Sequence, residues 1–404
     1  MWRHSSIGQE FDIKAGITLG PHRAPRAGAA PYLRVANVQR GYINLSDVSH
    51  LQASKSEIVQ YATQIDDLLI VEGHANPREI GRCSIVGPSS AGLLFQNHLF
   101  RLRSKSLHPK FALAWLNSEI TKAYWRRMCA TSSGLYTINS RQLNAMPIPV
   151  PPRREQFRIA EILDSADASI STTERLIENQ TATFEAVHND LLARGFEVDQ
   201  LANRLALSPG AVVQTGPFGS QLHAHEYVRH GVPVVMPQDI AGGRIDDSGA
   251  ARVTEARASM LSRHRLRAGD VVLARRGDLT KCAVVSPGQQ GWLCGTGCLL
   301  LRPGVAVNSD WLAAMYRHDI CQRQIAAVAV GSTMVNLNTG ILLSLKIPWP
   351  SRQEQDRIAD ALRTHEQSID RTRCERDKLR HLKQGLMEDL LTGRVRSVGE
   401  DVAS

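Results

Sequence analysis

Two stretches of the chain gather side chains that make hydrogen bonds in fixed pairs. One carries Arg34, Asn37, Gln39 and Arg40, with Arg78 and Arg82 further on; the other carries Gln238 and Arg244, followed by Arg275, Arg276 and Lys281. Arg and Lys donate to the guanine edge and Asn and Gln bond the adenine edge bidentately, so these residue types on loops suit the reading of bases, with spare cations for phosphates. For any one of them, a solvated surface charge or a turn-stabilising amide is the competing account. The chemistry is recognition. No GxxxxGK[ST] phosphate loop, no GxGxxG after a strand and no Asn-Pro-Pro-aromatic or Asp-Pro-Pro-aromatic signature occurs in the chain.

Metal chemistry finds little support. His223, His225 and Glu226 cluster, and Cys294 and Cys298 form the nearest thing to a ligand pair, but neither set has the further ligands of a zinc site. The seven cysteines are odd in number and scattered, and read as reduced thiols. No catalytic residue and no metal ligand is assigned. The net charge of +9 favours a polyanionic partner without identifying one. No apolar run is long enough to cross a bilayer, and Met1–Glu10 holds no secretory apolar core, so the chain is expected to be cytoplasmic, with no membrane partner.

The elements that must position these residues come from an internal repeat, the first thing to seek because it fixes architecture. MPIPVPPRREQFRIAEIL from Met146 recurs as LKIPWPSRQEQDRIADAL from Leu345, an offset of 199 in a chain of 404 residues. The same offset pairs Asn139 with Asn338, Glu155 with Glu354, Gln156 with Gln355 and Arg158 with Arg357. Upstream, Pro31–Ile43 aligns with Pro233–Ile245, and Asp67–Ile70 (DLLI) with Asp270–Leu273 (DVVL); these read as short buried strands ended by glycine turns. Each half is therefore a mixed α/β unit followed by one long helix.

In the first helix Ile159, Leu163, Ala166, Ile170, Thr173, Ile177, Gln180, Phe184, Val187 and Leu191 step alternately by four and three, a heptad seam. The second seam, Ile358, Leu362, His365, Ile369, Thr372, Arg376, Leu379, Lys383, Leu386 and Leu390, is interrupted by polar members. Prolines precede both helices, Ser351–Glu354 forms a capping box, and Gly195 and Gly393 follow the last turns. Each helix is about 50 to 60 Å long. Parallel pairing would ask the segment from Arg194 to Leu207 to run back along the rod, further than its reach of about 48 Å allows, so antiparallel pairing is expected. The expected layout is an α+β protein with two pseudo-symmetric globular recognition domains, 1–150 and 195–349, long spacer helices at 151–194 and 350–394, and a tail at 395–404. A rod of that length matches roughly 15 to 17 base pairs.

With these residues in view, the chain resembles the specificity subunits of Type I restriction-modification systems. The resemblance rests on Thr215–Ser220 (TGPFGS), both copies of the IPxPPxxEQxRIAxxL-like helix start and Leu390–Val395 (LLTGRV), and it spans nearly the whole chain. It implies a non-catalytic subunit that binds a bipartite, asymmetric site on double-stranded DNA, uses its helices as a ruler, and docks two methyltransferase subunits and then restriction (translocase) subunits. The resemblance also implies that S-adenosylmethionine, ATP and Mg belong to those partners, and that this chain holds no cofactor. Two places depart from the pattern: Ala15–Thr18 (AGIT) stands where the second half has TGPFGS, and Arg376 and Lys383 sit in the second seam. The alternatives are a coiled-coil scaffold with two protein-binding heads and a self-contained DNA-modifying enzyme. Steep weakening of DNA binding with salt separates the first of these from a DNA reader.

Overall fold

The computed structural model describes residues 2–132, 135–193, 195–217, 221–329 and 336–397. The chain forms two compact units, Met1–Arg175 with Arg373–Ser404, and Leu176–Thr372. The division falls inside both long helices, Arg153–Ala193 (α1) and Arg352–Thr392 (α2).

In the first unit a four-stranded antiparallel sheet runs in the order Phe11–Ala15, Leu99–Ser104, Leu68–Val71, Cys83–Ile85. Leu68–Val71 is apolar throughout because both its faces are covered. Leu68 and Ile70 join one core with Phe111, Trp115 and Ile138, while Leu69 and Val71 join another with Leu33, Val38 and Phe95, as the two-residue period of a strand requires. A smaller sheet pairs Ser49–Leu51, Ala30–Leu33 and Leu94–Phe95.

The second unit repeats the plan: Val212–Thr215, Cys298–Arg302, Val271–Ala274, Cys282–Val284 in the same order, beside a sheet of Tyr227–Val228, Ala251–Val253, Val232–Val235 and Leu293–Cys294. The DLLI and DVVL matches extend to a buried ion pair at the head of each strand. Asp67 accepts two bonds of 2.7 Å from the Arg103 guanidinium and one from the Gln64 N–H; Asp270 does the same with Arg302 and the Arg267 N–H. Asn139 and Asn338, matched in the repeat, are N-caps whose side chains accept from Gln142 and Ile341 N–H.

AGIT and TGPFGS do the same local job as far as the description reaches. Gly16 N–H donates to the Leu99 carbonyl and Gly216 N–H to the Cys298 carbonyl. A Cβ on Gly16 would strike the Phe95 and Gln96 carbonyls, and one on Gly216 the Gly295 carbonyl, so close backbone approach explains both glycines. Phe218–Ser220 of the motif lie outside the described residues.

Each long helix begins where a strand from the start of its unit closes on the strand before it: Arg3–Ser6 on Pro147–Val150, and Val198–Gln200 on Lys346–Pro348, both antiparallel. The helices themselves run antiparallel within each unit. In the first unit Arg380 meets Glu174 at 2.6 Å, Lys383 Nζ meets Asp167 at 2.5 Å and Arg396 meets Glu155 at 2.7 Å, so the partner on α1 moves back as the number along α2 and the residues after it rises. In the second unit Gln180 donates to the Ser368 hydroxyl, and Leu192 shares a core with Ile358 and Leu362.

Of the seam residues, Ile159, Leu163, Ile358, Leu362, Ile369 and Leu390 are buried; Ile170, Ile177, Phe184, Val187, Leu191, Leu379 and Leu386 are half-buried. Thr173 and Thr372 bury their hydroxyls on the carbonyls of Ser169 and Ser368. Lys383 runs its stem along the seam and delivers its charge to Asp167, while Arg376 turns to its neighbour Asp377, so both polar interruptions keep their heads wet. Gly393 ends α2 at φ +73°, with the Trp2 ring 3.3 Å from where a side chain would start.

Candidate nucleic-acid interface

Strand order decides which loops meet. In the first unit the turn after Ala30–Leu33 and the hairpin loop between Leu68–Val71 and Cys83–Ile85 lie against each other, because the sheets that launch them share a core. Arg40 Nη2 donates to the Arg78 carbonyl at 2.6 Å, Arg82 Nη2 to the Val35 carbonyl at 2.7 Å, and Gly41 N–H to the Cys83 carbonyl. The two groups of sequence candidates, Arg34 to Arg40 and Arg78 to Arg82, are thereby brought together. The second unit does likewise, with Lys281 Nζ 3.4 Å from the Pro237 carbonyl.

Within these clusters the side chains divide. Asn37 is buried: its oxygen accepts the Arg34 N–H at 2.8 Å and its amide donates to the Asn44 and Asp47 carbonyls at 2.9 Å. Its amide is therefore committed to the turn. Arg82 and Arg275 are committed in the same way. Each is buried, Arg82 bridging to Val35 and Arg275 donating to the Asn336 side chain at 3.2 Å, so these guanidinium groups hold loops together. Burial lowers the pKa of Arg275 and of Arg40, though Glu79 and Glu119 oppose it at Arg40.

Arg34 is tied to Asp47 at 2.6 Å, Gln39 to the Ala36 carbonyl, and Arg244 to Asp370 at 2.6 Å. Arg78, Gln238 and Arg276 are exposed, with no hydrogen-bond or ion-pair partner for the side chain among the described residues.

The organising residue that sequence reading missed is Asn117, which caps the helix Pro109–Leu116. Its oxygen accepts from the Cys83 N–H at 3.1 Å and from Arg40 at 3.3 Å, and its amide donates to the Cys83 carbonyl at 2.9 Å. Nothing in the sequence ties it to Cys83.

The metal candidates are otherwise engaged. Glu226 is bonded by Arg257 and by the His223 N–H. Cys294 and Cys298 are buried, and burial pushes both thiols up, that of Cys298 to about 12. All seven cysteines are unbridged, and among the described residues no helix is long and apolar enough to cross a membrane.

Two copies of one α+β unit, each presenting a paired loop cluster and each continued by a long helix, define a duplicated two-domain protein. The chain matches the Type I restriction modification DNA specificity domain over residues 2–180 and 263–381, and it belongs to that family. It is 24% identical over 203 residues to the Type I restriction enzyme EcoKI specificity subunit of Escherichia coli K12, covering 50% of this chain and 43% of that one. It is 21% identical over 282 residues to the Type I restriction enzyme MjaVIII specificity subunit of Methanocaldococcus jannaschii, 65% of each. The matches thus span less than two thirds of these relatives' length. The crystal structure of an S subunit of a Type I restriction-modification system from M. genitalium shares the fold, with a TM-score of 0.57 at 16% identity over 97% of this chain and 96% of that one.

Proposed function

We propose that this chain reads a bipartite, asymmetric DNA sequence for a Type I restriction-modification enzyme, one half-site per unit, and has no catalytic site of its own. The observation that carries the reading is the pairing of the same two loops in both units with different side chains on them. Arg78 and Tyr42 stand exposed on the first cluster, Gln238 and Arg276 on the second. A common frame with unlike contact residues reads two unlike half-sites. The long helices hold the half-sites a set number of base pairs apart and dock two methyltransferase subunits, which bring S-adenosylmethionine and act on adenine. Restriction subunits with ATP and Mg join that assembly.

The experiment is methylation mapping of DNA from a host expressing the chain with its methyltransferase partner. A single motif with two unlike halves and one spacer is expected. Exchanging residues 1–145 for the equivalent segment of another family member should alter one half and leave the other. Methylation without sequence preference at any salt, or a swap that alters both halves, refutes the reading, as does methylation or cleavage by the purified chain alone.

A further inference from the structure

Gln156 and Gln355 stand 199 residues apart, in the first turns of α1 and α2, and both are buried. Each uses its amide twice in the same way. Gln156 accepts the His108 N–H at 2.7 Å and donates to the Pro151 carbonyl at 2.9 Å. Gln355 accepts the Asn308 N–H at 2.9 Å and donates to the Pro350 carbonyl at 3.1 Å. His108 and Asn308 are the N-cap residues of the helices Pro109–Leu116 and Ser309–Arg317, which pack on the central sheet of their own units. The carbonyls belong to the proline segments that lead into α1 and α2. Each glutamine therefore ties three things at one point: a long helix, the strand feeding it, and the helix that carries the reading sheet.

The contacts flanking this joint differ between the units. Beside Gln156, the His108 ring lies 4.3 Å from the Phe157 ring; beside Gln355, Asn308 donates to the Asp356 carboxylate at 2.6 Å. One turn on, Lys110 pairs with Asp164 at 2.6 Å, whereas Asp310 pairs with Arg363 at 3.0 Å, the same positions with the charges exchanged. The flanking side chains have changed and the glutamine with its two backbone partners has not. An amide is suited to the position because it both donates and accepts there; a carboxylate would face the proline carbonyl, and an apolar side chain would leave a buried N–H and a buried carbonyl unpaired.

We infer that Gln156 and Gln355 are positioning residues that fix the orientation of each reading unit on its own long helix, and so set the spacer at which DNA is read. The inference rests on the DNA-reading function proposed above. Neither glutamine touches DNA; each acts through the helix cap it holds. One base pair more or fewer moves a half-site by about 3.4 Å and about a tenth of a turn, a displacement that a loosened joint accommodates and a fixed one does not.

The test uses the chain assembled with its methyltransferase partner and a DNA library holding both half-sites at the natural spacer and at one and two base pairs longer or shorter. For Gln355→Met, which removes both bonds of the amide, methylation at spacers one base pair off should rise about tenfold or more relative to the natural spacer, with both half-site sequences unchanged. If that variant does not assemble, Gln355→Glu, which keeps the acceptor for the Asn308 N–H, is read in the same way. An unchanged spacer profile in an assembled variant overturns the inference even where total methylation falls. A changed half-site sequence overturns it too, since the glutamine would then act on the reading loops. If the unaltered complex shows no bipartite preference, the proposed function fails first, and that result is visible before any variant is made.

Discussion

Arg396→Ala is the sharpest test of how the first unit is closed. The Glu155 carboxylate is fully buried in the first turn of α1, where Arg396 grips it through two bonds of 2.7 Å and the Trp2 indole N–H donates to it at 2.9 Å. Burial alone would push this carboxyl up, but the bonds from Arg396 and Trp2 outweigh it and hold the group below the usual carboxylate range. Removing Arg396 leaves a buried charge on two neutral donors, the Trp2 indole and the Ser397 backbone N–H. Losing one partner of a fully buried pair costs about 3 to 5 kcal/mol, and because the Arg396 side chain is 42% exposed we expect about 2 to 3 kcal/mol. For a unit of this size that lowers the first calorimetric transition by roughly 5 to 10 °C.

Glu155→Gln should cost less than Arg396→Ala, because it removes the charge rather than abandoning it, and the double variant should lose less than the sum of the two. The sign with pH follows from the lowered pKa: the contribution is present above the ordinary glutamate pKa of 4.5 and is lost as pH falls through the lower folded value. A melting temperature of Arg396→Ala within a degree of the parent, or strict additivity in the double variant, would refute the reasoning.

Three further outcomes are expected. Burial first, then His318 and Arg317, depress His188 from 6.5 to about 4, so below pH 6.5 the unfolded chain binds a proton that the folded one does not; urea unfolding should show stability falling from pH 6.5 towards 4, and His188→Gln should reduce that slope, with His108, His264 and His318, also lowered by burial, leaving a remainder of the same sign. Arg78→Ala should leave stability within about 0.5 kcal/mol and reduce the salt slope of DNA binding by about 1, whereas Asn37→Ala should cost about 1 to 3 kcal/mol of stability through the N–H and carbonyls it strands; equal stability losses would contradict their placement. Gly81→Ala combines a φ of +64° with a Cβ driven into the Trp125 ring and should destabilise by more than about 1 kcal/mol, read in the thermal melt and in tryptophan fluorescence.

Much of the architecture was legible because it was written twice or periodically. The offset of 199 pairs cap with cap, Asn139 with Asn338, and the upstream match of DLLI with DVVL pairs strand with strand, Asp67 with Asp270. The seams were legible because a helix that buries one stripe must repeat its apolar residues every three or four positions. The candidate site was legible only as a neighbourhood. Asn37, Arg82 and Arg275 have the same residue types as base readers, and composition cannot distinguish an amide that closes a turn from one that faces solvent.

The capacity for recognition, offered by Arg, Asn and Gln on paired stretches without a catalytic motif, thus belongs to the sequence alone, together with the duplication that repeats it. Which of those side chains remain free belongs to the tertiary structure. Arg40 meets the Arg78 carbonyl, Arg82 meets Val35 and Asn117 meets Cys83 only because the order of strands in the sheets brings distant turns together. Hydrogen bonds between residues so far apart in the chain are selected by packing, and no local pattern of residue types encodes them.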